Sequence, residues 1–279
     1  MKTLFFPCTL DGLSKHSGSA MIRTRWMAKY MDGAAVYDGT QRLSGWDLYV
    51  FQKAYLSETS NGLIKTLSAL RGGAGGLLAF DLCDPDFLDN EHRERMLRIL
   101  PLFDFATSPT RPLQDWLSQY LPSYAVHDGV DPDAIAHRHT FDPTDRPSIC
   151  WFGYGGNTGA LRAMYSTIEA LDVEVDVIAV DRAVSFEQFL ATITRYDICL
   201  NPRPAMPPYI YKSPNKTIIA LAAGVAVAET GADLVALMDP EERRFRLSQF
   251  DVGAHHIRHS GAQLLEAAFE EALYGSSHN

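Results

Sequence analysis

Short apolar runs alternate along this chain with longer segments in which apolar residues recur every three or four positions. Runs such as Thr3–Phe6, Leu77–Phe80 and Ile198–Leu200 are typical of strands that are buried on both faces. Between the runs, segments such as Asn90–Leu100 and Phe186–Thr194 have the spacing of amphipathic helices. The alternation predicts an α/β protein with mostly parallel, doubly wound sheets.

A polar segment with three prolines and no sustained apolar period interrupts this alternation. The segment covers His127–Pro147 and is typical of a linker. The pattern restarts after it with the apolar run Ser148–Phe152, so the sequence predicts two Rossmann-like halves that face each other across a central cleft. We expect domains over residues 1–145 and 146–260, and a C-terminal helix over residues 261–279 that could pack back on the first domain.

The stretch Tyr209–Thr230 predicts a loop, a helix and a buried strand in immediate succession. Ser213 is the expected N-cap, because its hydroxyl can accept a hydrogen bond from a backbone N–H of the first turn. Pro214 suits the first helical position, and Gly224 suits the position just after the last turn. The apolar run Val225–Ala228 then predicts a strand that is covered on both sides.

Two lysines and one carboxylate determine the chemistry of this stretch. Lys212 and Lys216 flank a helix N-terminus, whose N–H groups and dipole already favour an anion. Glu229 follows the predicted strand, at the edge where open α/β sheets bind ligands. A phosphate site beside a carboxylate indicates a nucleotide diphosphate, with the carboxylate accepting hydrogen bonds from ribose hydroxyls. An ordinary helix–strand unit with solvated lysines fits the same residues.

Composition and charge narrow the class of protein. The chain has 279 residues, of which 46% are hydrophobic and 21% charged, as expected of a globular protein with room for two domains. No apolar run approaches the roughly 20 residues that a membrane-spanning helix needs. The net charge of −9 argues against strong non-specific binding to nucleic acid. Four scattered cysteines without a CxxC pair indicate buried thiols in a reducing cytoplasm.

Two turns after predicted strands could carry chemistry. The glycine-rich turn Gly153–Asn157 could bring backbone N–H groups close to a ligand, although a plain tight turn also fits. It lacks the GxGxxG fingerprint, while Asp181 at a later strand end leaves an NAD-linked enzyme open. Asp81, Asp84 and Asp86 could bind Mg²⁺, act as a base or simply cap the next helix.

The loop Thr9–Arg23 follows the first strand and leads into a helix, so it could bind acceptor or phosphate. Solvated loop residues are an equal alternative for this segment.

His127 ends the last strand of the first half. The histidines have neither cysteine partners nor an HExxH helix, so we expect no metal site. The sequence also lacks a GxSxG elbow and a Walker lysine motif, which removes the commonest hydrolase and NTPase interpretations.

Several of these segments resemble, in order along the chain, motifs of the GT-B glycosyltransferases. Lys212–Lys216 and the helix that ends at Gly224 resemble the donor-site segment of that family, in which a lysine-containing turn opens a helix. His127–Asp131 resembles its N-G-V-D signature between the domains, and Asp197–Pro202 resembles the strand before the donor loop. The loop that leads to Arg23 resembles the acceptor-side loop.

The chain departs from the family pattern in several places. Ala226 stands where the family usually has proline, and Asp128 replaces the asparagine of N-G-V-D. Leu221 occupies the position of the first glutamate in the E-x7-E donor motif. The chain is also short for the family, so acceptor-binding insertions are expected to be missing. These differences concern the catalytic residues more than the fold.

The resemblance implies a nucleotide sugar held chiefly by the second Rossmann domain and metal-independent transfer to an acceptor held by the first. The residues that it implies for donor binding are Gly153, Tyr154, Asn157, Ser213, Asn215, Lys216 and Glu229. The candidate catalytic residues are Lys212, His127 and Asp84. The candidate acceptor-side residues are His16, Ser17 and Arg23.

The sequence therefore leads to the hypothesis of a cytoplasmic glycosyltransferase. Its co-substrate would be a nucleotide-diphosphate sugar, and we expect the nucleotide to be uridine. The enzyme would require no metal or other cofactor. The acceptor stays open among a glycan, a small molecule, a protein and a hydroxymethylated DNA base of the kind that virus-type enzymes modify. Two further hypotheses stay open: a nucleotide-sugar-binding protein whose catalysis has decayed, and an NAD-linked Rossmann enzyme.

Overall fold

The computed structural model describes residues 1–8, 17–56, 60–73, 75–135, 146–179 and 185–275. Within these residues the chain forms two parallel sheets, which confirms the predicted α/β class. Close contacts group the chain into two compact units. The first contains Met1–Gly129, Tyr211–Ser213 and Ile257–Asn279, and the second contains Val130–Ile210 and Pro214–His256. The domain boundaries and the cleft inferred from the sequence remain predictions.

The first unit is built on a six-stranded parallel sheet. Its strands are β1 (Thr3–Phe6), β2 (Ala35–Val36), β3 (Leu48–Gln52), β4 (Leu77–Asp81), β5 (Phe105–Ser108) and β6 (Ser123–Ala125). They lie in the order β2-β1-β3-β4-β5-β6. Its α-helices are Gly18–Ala20, Met27–Lys29, Ser60–Gly73, Asn90–Ile99, Arg111–Leu117 and Gln263–Gly275, with π-helical stretches at Met21–Trp26 and Arg258–Ala262. Its 3₁₀ turns are Ala54–Leu56, Asp86–Leu88 and Leu100–Leu102.

The middle strands of this sheet are buried, as their apolar runs predict. Tyr49 on β3 and Phe80 on β4 are shielded from solvent, and Leu67 and Met96 from the helices belong to the same apolar core. Polar side chains enter at the carboxyl ends of the strands. There the register pairs Gln52 with Asp81, and Asp81 with Thr107. The sheet thus places a row of buried polar groups at the edge where α/β proteins bind ligands.

The second unit is built on a four-stranded parallel sheet. Its strands are β7 (Ile149–Gly153), β8 (Asp176–Ala179), β9 (Ile198–Leu200) and β10 (Ala226–Ala228). They lie in the order β10-β9-β7-β8. The α-helices are Tyr165–Ala170, Phe186–Ile193, Asn215–Ala222, Gly231–Leu237 and Pro240–Ser248. Further 3₁₀ stretches are Pro132–Ala134, Gly155–Met164 and Tyr209–Tyr211.

The helix Asn215–Ala222 ends as the sequence predicts. Gly224 has a φ of +79°, a conformation that glycine adopts without steric cost. The N–H of Val225 donates to the carbonyl of Ala220 at 2.9 Å, which satisfies one of the last carbonyls of the helix. The chain then enters β10, so the predicted helix–turn–strand order of this stretch is confirmed.

Two helical features differ from the sequence prediction. The sequence pattern predicts a helix over about Thr158–Leu171, but the structure has the 3₁₀ stretch Gly155–Met164 before the α-helix Tyr165–Ala170, because the glycines disfavour an α-helical first turn. The helices Gly231–Leu237 and Pro240–Ser248 are absent from the prediction. Both have capping residues that could have indicated them, since the Thr230 and Asp239 side chains accept hydrogen bonds from their first turns.

The burial of the cysteines follows the sequence prediction, with one exception. The cysteines are free, and Cys83, Cys150 and Cys199 are buried as predicted, while Cys8 is half-buried. Among the described residues, no helix combines the length and the apolar content needed to cross a membrane.

Candidate functional site

The predicted site residues fall into two groups, one in each compact unit. The first unit holds Ser17, Arg23, Asp84, His127, Lys212 and Ser213. The second unit holds Gly153, Tyr154, Asn157, Asn215, Lys216 and Glu229. His16 lies outside the residues that the structure describes.

In the second unit, Lys216 lies against the carboxyl end of β7. Its Nζ donates to the carbonyl of Phe152 at 3.0 Å and lies 4.9 Å from the ring centroid of Trp151. The ring face attracts the ammonium group electrostatically. Gly153 makes this position possible, because a Cβ there would lie 2.3 Å from Lys216 Nζ. The structure thus brings together Gly153 and Lys216, two of the predicted donor residues.

The helix that carries Lys216 runs from Asn215 to Ala222, with Pro214 in the N-cap position. A helix leaves its first N–H groups without partners inside the helix, and these groups favour an anion. The predicted cap at Ser213 is wrong, since no side chain caps this helix. The Ser213 hydroxyl instead donates to Asp128, because a buried carboxylate is a strong acceptor.

Glu229 follows β10, and a two-step relay holds its carboxylate. Asn201 Nδ2 donates to Thr217 Oγ1 at 2.9 Å, and Thr217 Oγ1 donates to Glu229 Oε1 at 2.7 Å. A hydroxyl has a single proton, so this pair of bonds fixes the direction in which Thr217 donates. Glu229 is half-buried, and in the described part of the chain no second hydrogen bond reaches its carboxylate. Oε2 is therefore able to accept a bond from a ligand hydroxyl.

Tyr154 and Asn157 lie in the glycine-rich turn after β7. The side chain of Tyr154 is 72% exposed, and that of Asn157 is half-buried. The N–H of Asn157 donates to the carbonyl of Tyr154 at 2.8 Å, which tightens the turn. The turn therefore presents an accessible aromatic ring next to an amide.

In the first unit, Asp84 belongs to a charged network at the carboxyl ends of β3 and β4. Lys53 Nζ donates to Asp84 Oδ2 at 2.6 Å and lies 3.0 Å from Asp86 Oδ2. The Tyr55 hydroxyl donates to Asp86. Lys212 Nζ lies 4.0 Å from Asp84 Oδ1, so the structure brings together two of the predicted catalytic residues. Lys53 is not among the residues that the sequence indicated, although it directly follows the apolar strand β3.

Burial and charge act in opposite directions on this network. Burial disfavours the Lys53 ammonium, but the acidic groups around it, Cys83 and Asp84 first among them, outweigh burial and raise its pKa. Burial also disfavours the Asp86 carboxylate, but Lys53 and the Tyr55 hydroxyl outweigh it and lower the pKa of Asp86. Burial raises the pKa of Tyr55, so its phenol keeps the proton that it donates.

Arg23 is 2% exposed and binds two carboxylates inside the first unit. Its Nε donates to Asp81 Oδ2 at 3.2 Å and its Nη1 to Asp128 Oδ1 at 3.2 Å. Further bonds run from Nη2 to Asp81 and from Nη1 to the carbonyl of Val126. Burial raises the pKa of Asp128, and Arg23 and Ser213 oppose that shift. Arg23 therefore organises Asp81 and Asp128 from within the unit.

The short segment Tyr211–Ser213 is held to the first unit along its whole length. Thr110 Oγ1 donates to the carbonyl of Tyr211 at 2.8 Å, and the Tyr211 ring packs edge-on against Phe87 with centroids 5.2 Å apart. Ser213 is bound to Asp128 at the other end of the segment. These contacts fix the backbone on both sides of Lys212.

His127 and Ser17 have simpler surroundings. The His127 side chain is exposed, and its Nδ1 lies 2.9 Å from the carbonyl of Pro109. A carbonyl can only accept, so Nδ1 is the donor in this contact. Ser17 Oγ accepts from the N–H of Ala20 at 3.3 Å and so caps the following helix.

Within the described ranges, no group of three or more His, Cys, Asp or Glu side chains is arranged to hold a metal ion.

Neither a protein-family model nor a curated protein sequence matches this chain. Several solved structures do. An α-glucosyltransferase in complex with UDP-glucose and DNA containing an abasic site has a TM-score of 0.51 at 10% identity, over 99% of this chain and 98% of that chain. The chain has a GT-B-like fold. At this identity the likeness shows the fold alone, with two Rossmann-like units as the sequence predicts.

Two other solved structures match the chain with lower scores. The α,α-trehalose 6-phosphate synthase from Burkholderia multivorans has a TM-score of 0.47 at 11% identity, over 85% of this chain and 72% of that chain. Anabaena HepE in complex with UDP and glucose has a TM-score of 0.43 at 12% identity, over 100% of both chains.

Proposed function

We propose that this protein is a glycosyltransferase that moves a sugar from a nucleotide-diphosphate sugar to an acceptor hydroxyl. The observation that carries the proposal lies in the second unit, where a cation at a helix N-terminus and an oriented carboxylate share one end of the sheet. The cation is Lys216, seated against Gly153, and the carboxylate is Glu229, held by Thr217. This combination suits a ligand with phosphates and vicinal hydroxyls.

The donor is assigned as a uridine-linked sugar. The α-glucosyltransferase with the matching fold is in complex with UDP-glucose, which supports this choice. The diphosphate would bind at the N-terminus of the helix Asn215–Ala222, beside Lys216, and Glu229 Oε2 would accept from ribose or sugar hydroxyls. Tyr154 offers an exposed ring on which a base or sugar could stack, with Asn157 beside it.

The bond that breaks joins the anomeric carbon of the sugar to the diphosphate. The acceptor oxygen forms a new bond to that carbon, and the nucleoside diphosphate leaves with the electron pair. The negative charge that develops on the leaving diphosphate is stabilised by preorganised cations and N–H groups. We assign this role to Lys212 and to the turn Ser213–Lys216, because this segment resembles the donor-site motif of the family. No metal is required in this scheme, because these groups supply the positive charge.

The acceptor hydroxyl must lose a proton during transfer. Asp84 and His127 are the candidate bases, since carboxylates and imidazoles commonly take protons in catalysis and both side chains are accessible here. Ser17, with His16, is assigned to the acceptor side. Arg23 acts on this side indirectly, by holding Asp81 and Asp128.

A hydroxymethylated DNA base is one acceptor to test. The DNA present in the α-glucosyltransferase complex favours it, whereas the net charge of −9 opposes strong binding to DNA. DNA binding that weakens steeply with salt, together with sugar transfer to hydroxymethylated DNA, would establish this acceptor. Salt-insensitive or absent binding would direct the search to glycans, proteins and small molecules.

A thermal-shift panel tests the donor assignment. The panel contains nucleoside diphosphates, nucleotide sugars and NAD(P), each with and without a chelator. A ligand at 100 times its dissociation constant stabilises the folded state by about 2.7 kcal/mol. We expect stabilisation by UDP and UDP-sugars, unchanged by chelator. Stabilisation by NAD(P) alone would indicate an NAD-linked enzyme, and donor binding without turnover would indicate a decayed enzyme.

A further inference from the structure

Lys53 occupies an unfavourable position for a lysine. It follows β3 directly, has a φ of +47°, and has a side chain that is 11% exposed. The left-handed backbone region is unfavourable for any residue that has a Cβ, so residues other than glycine rarely adopt it. Burial of an ammonium group adds a further cost unless the charge is paired. The fold tolerates both costs at the same residue, which indicates that the position of this ammonium matters.

The ammonium group of Lys53 connects a core tyrosine to an accessible carboxylate. Its Nζ is 3.0 Å from Asp86 Oδ2, and Asp86 also accepts from the hydroxyl of Tyr55, which is 2% exposed. On the other side, Nζ is 2.6 Å from Oδ2 of Asp84, whose side chain is 33% exposed. Asp86 and Tyr55 therefore anchor Lys53 from the interior, and Lys53 in turn anchors Asp84.

At Asp84, one carboxylate oxygen accepts a hydrogen bond from the described part of the chain and the other does not. Oδ2 holds Lys53, while no hydrogen bond from the described residues reaches Oδ1. Lys212 Nζ stays 4.0 Å from Oδ1, which is beyond hydrogen-bond range. A general base needs an ionised group whose free lone pair is aimed at the proton, and a third group commonly orients it. Lys53 supplies the orientation, because its ammonium group binds Oδ2 at 2.6 Å.

We propose that Lys53 is the positioning residue for Asp84, an inference that rests on the glycosyl transfer proposed above. Asp84 Oδ1 takes the proton of the acceptor hydroxyl while the acceptor oxygen bonds to the anomeric carbon. The glycosyl–phosphate bond breaks, and the nucleoside diphosphate leaves with the bonding pair. Asp84 later releases the proton to solvent. Lys53 acts through Asp84 by binding Oδ2, which leaves Oδ1 without a hydrogen bond from the residues that the structure describes and available to the acceptor hydroxyl.

The test is steady-state UDP release from a panel of UDP-sugars, with water or an identified acceptor. Lys53→Met should lower kcat about 100-fold, because a misplacement of about 1 Å can cost that much. The KM for the donor should stay within about twofold, since Lys53 is not assigned to donor binding. Lys53→Arg should recover part of kcat by restoring the charge. Lys65→Met, at an exposed lysine, is the matched control and should leave both constants unchanged.

A second variant covers the case in which Lys53→Met does not fold, since it leaves two carboxylates without their cation. The double variant Lys53→Met/Asp86→Asn removes one charge of each sign and should show the same loss of kcat in a folded protein. A folded variant with wild-type kcat, or with kcat and donor affinity reduced together, overturns the assignment and leaves the proposed function standing. Wild-type protein that releases no UDP from any UDP-sugar overturns the proposed function, and the assignment with it.

Discussion

Ser213 donates its hydroxyl proton to the carboxylate of Asp128, which lies 85 residues earlier in the chain. Asp128 is 5% exposed and pairs with Arg23 through its other oxygen. The bond ties the segment Tyr211–Ser213 to the end of the first half of the chain, in place of the helix cap that the sequence predicts. The same bond holds the backbone next to Lys212.

Removal of this hydroxyl should destabilise the protein. In Ser213→Ala, the buried Asp128 carboxylate loses a donor that no other group replaces, which costs about 1–3 kcal/mol. Ser213→Thr keeps the hydroxyl and serves as the matched control. The free energy of unfolding in urea measures the effect. Equal stability of Ser213→Ala and wild type would contradict the importance of this bond.

Gly153→Ala should displace Lys216 and also lower the stability of the second unit, because the φ of +156° at Gly153 strains any residue with a side chain and the new Cβ would lie 3.1 Å from the Trp151 ring. The new Cβ would lie 2.3 Å from Lys216 Nζ, which is the flexible end of a side chain and can move away. We expect weaker binding of UDP in calorimetry, by about tenfold, if one charge-assisted contact is lost. Gly159→Ala is the control, because a Cβ at Gly159 meets no atom within 4 Å. Equal affinity in both variants would argue against Lys216 as a phosphate ligand.

Thr217→Val should reduce the contribution of Glu229 to donor binding. Valine has nearly the shape of threonine, but it cannot donate to Glu229 Oε1 or accept from Asn201. UDP affinity should fall about tenfold, and the preference for UDP over 2′-deoxy-UDP should shrink, because the carboxylate loses its orientation. Thr217→Ser should retain both properties. If Thr217→Val kept the full preference for UDP over 2′-deoxy-UDP, the hydrogen bond from Thr217 to Glu229 would have no role in recognition of the ribose.

The pH dependence of stability should reveal the Lys53–Asp86 pair. The pKa of Asp86 is lowered in the folded state from an ordinary value of about 3.9. Its stabilising contribution is therefore complete above the unfolded pKa and is lost as pH falls through the folded pKa. The difference in unfolding free energy between wild type and Asp86→Asn should accordingly shrink below a pH of about 4.

Urea unfolding between neutral and acidic pH measures this difference. The exposed Asp32, changed to asparagine, provides the control for a general effect of removing a negative charge. A difference between wild type and Asp86→Asn that stays constant through the acidic range would contradict the assignment.

Local pattern was sufficient to predict most elements of the fold. The apolar run at Thr3–Phe6 gives a strand with the predicted bounds, and Gly224 ends its helix in the left-handed conformation. Such features depend on a few neighbouring residues, so they are visible in one sequence. Gly153 and Lys216 were predicted separately as donor residues, and the structure shows that they touch.

Contacts between distant positions were the part that the sequence could not predict. The sequence predicts an N-cap role for the Ser213 hydroxyl, and only the folded chain brings Asp128 close enough to bind it instead. The sequence did not indicate Lys53 as a site residue, because nothing local shows that Asp84 and Asp86 converge on it. The positive φ of Lys53 has no sequence signal either, since glycine would be the expected residue there.

The most direct test of the proposed function is the rate of UDP release from UDP-sugars in the presence of a chelator, with wild-type protein and Lys212→Ala. We predict turnover by the wild type that does not depend on a metal. In Lys212→Ala, kcat should fall more than donor affinity, because the ammonium group is assigned to charge that develops on the leaving diphosphate. No UDP release by the wild type from any UDP-sugar, or turnover in Lys212→Ala equal to wild type, would contradict the account.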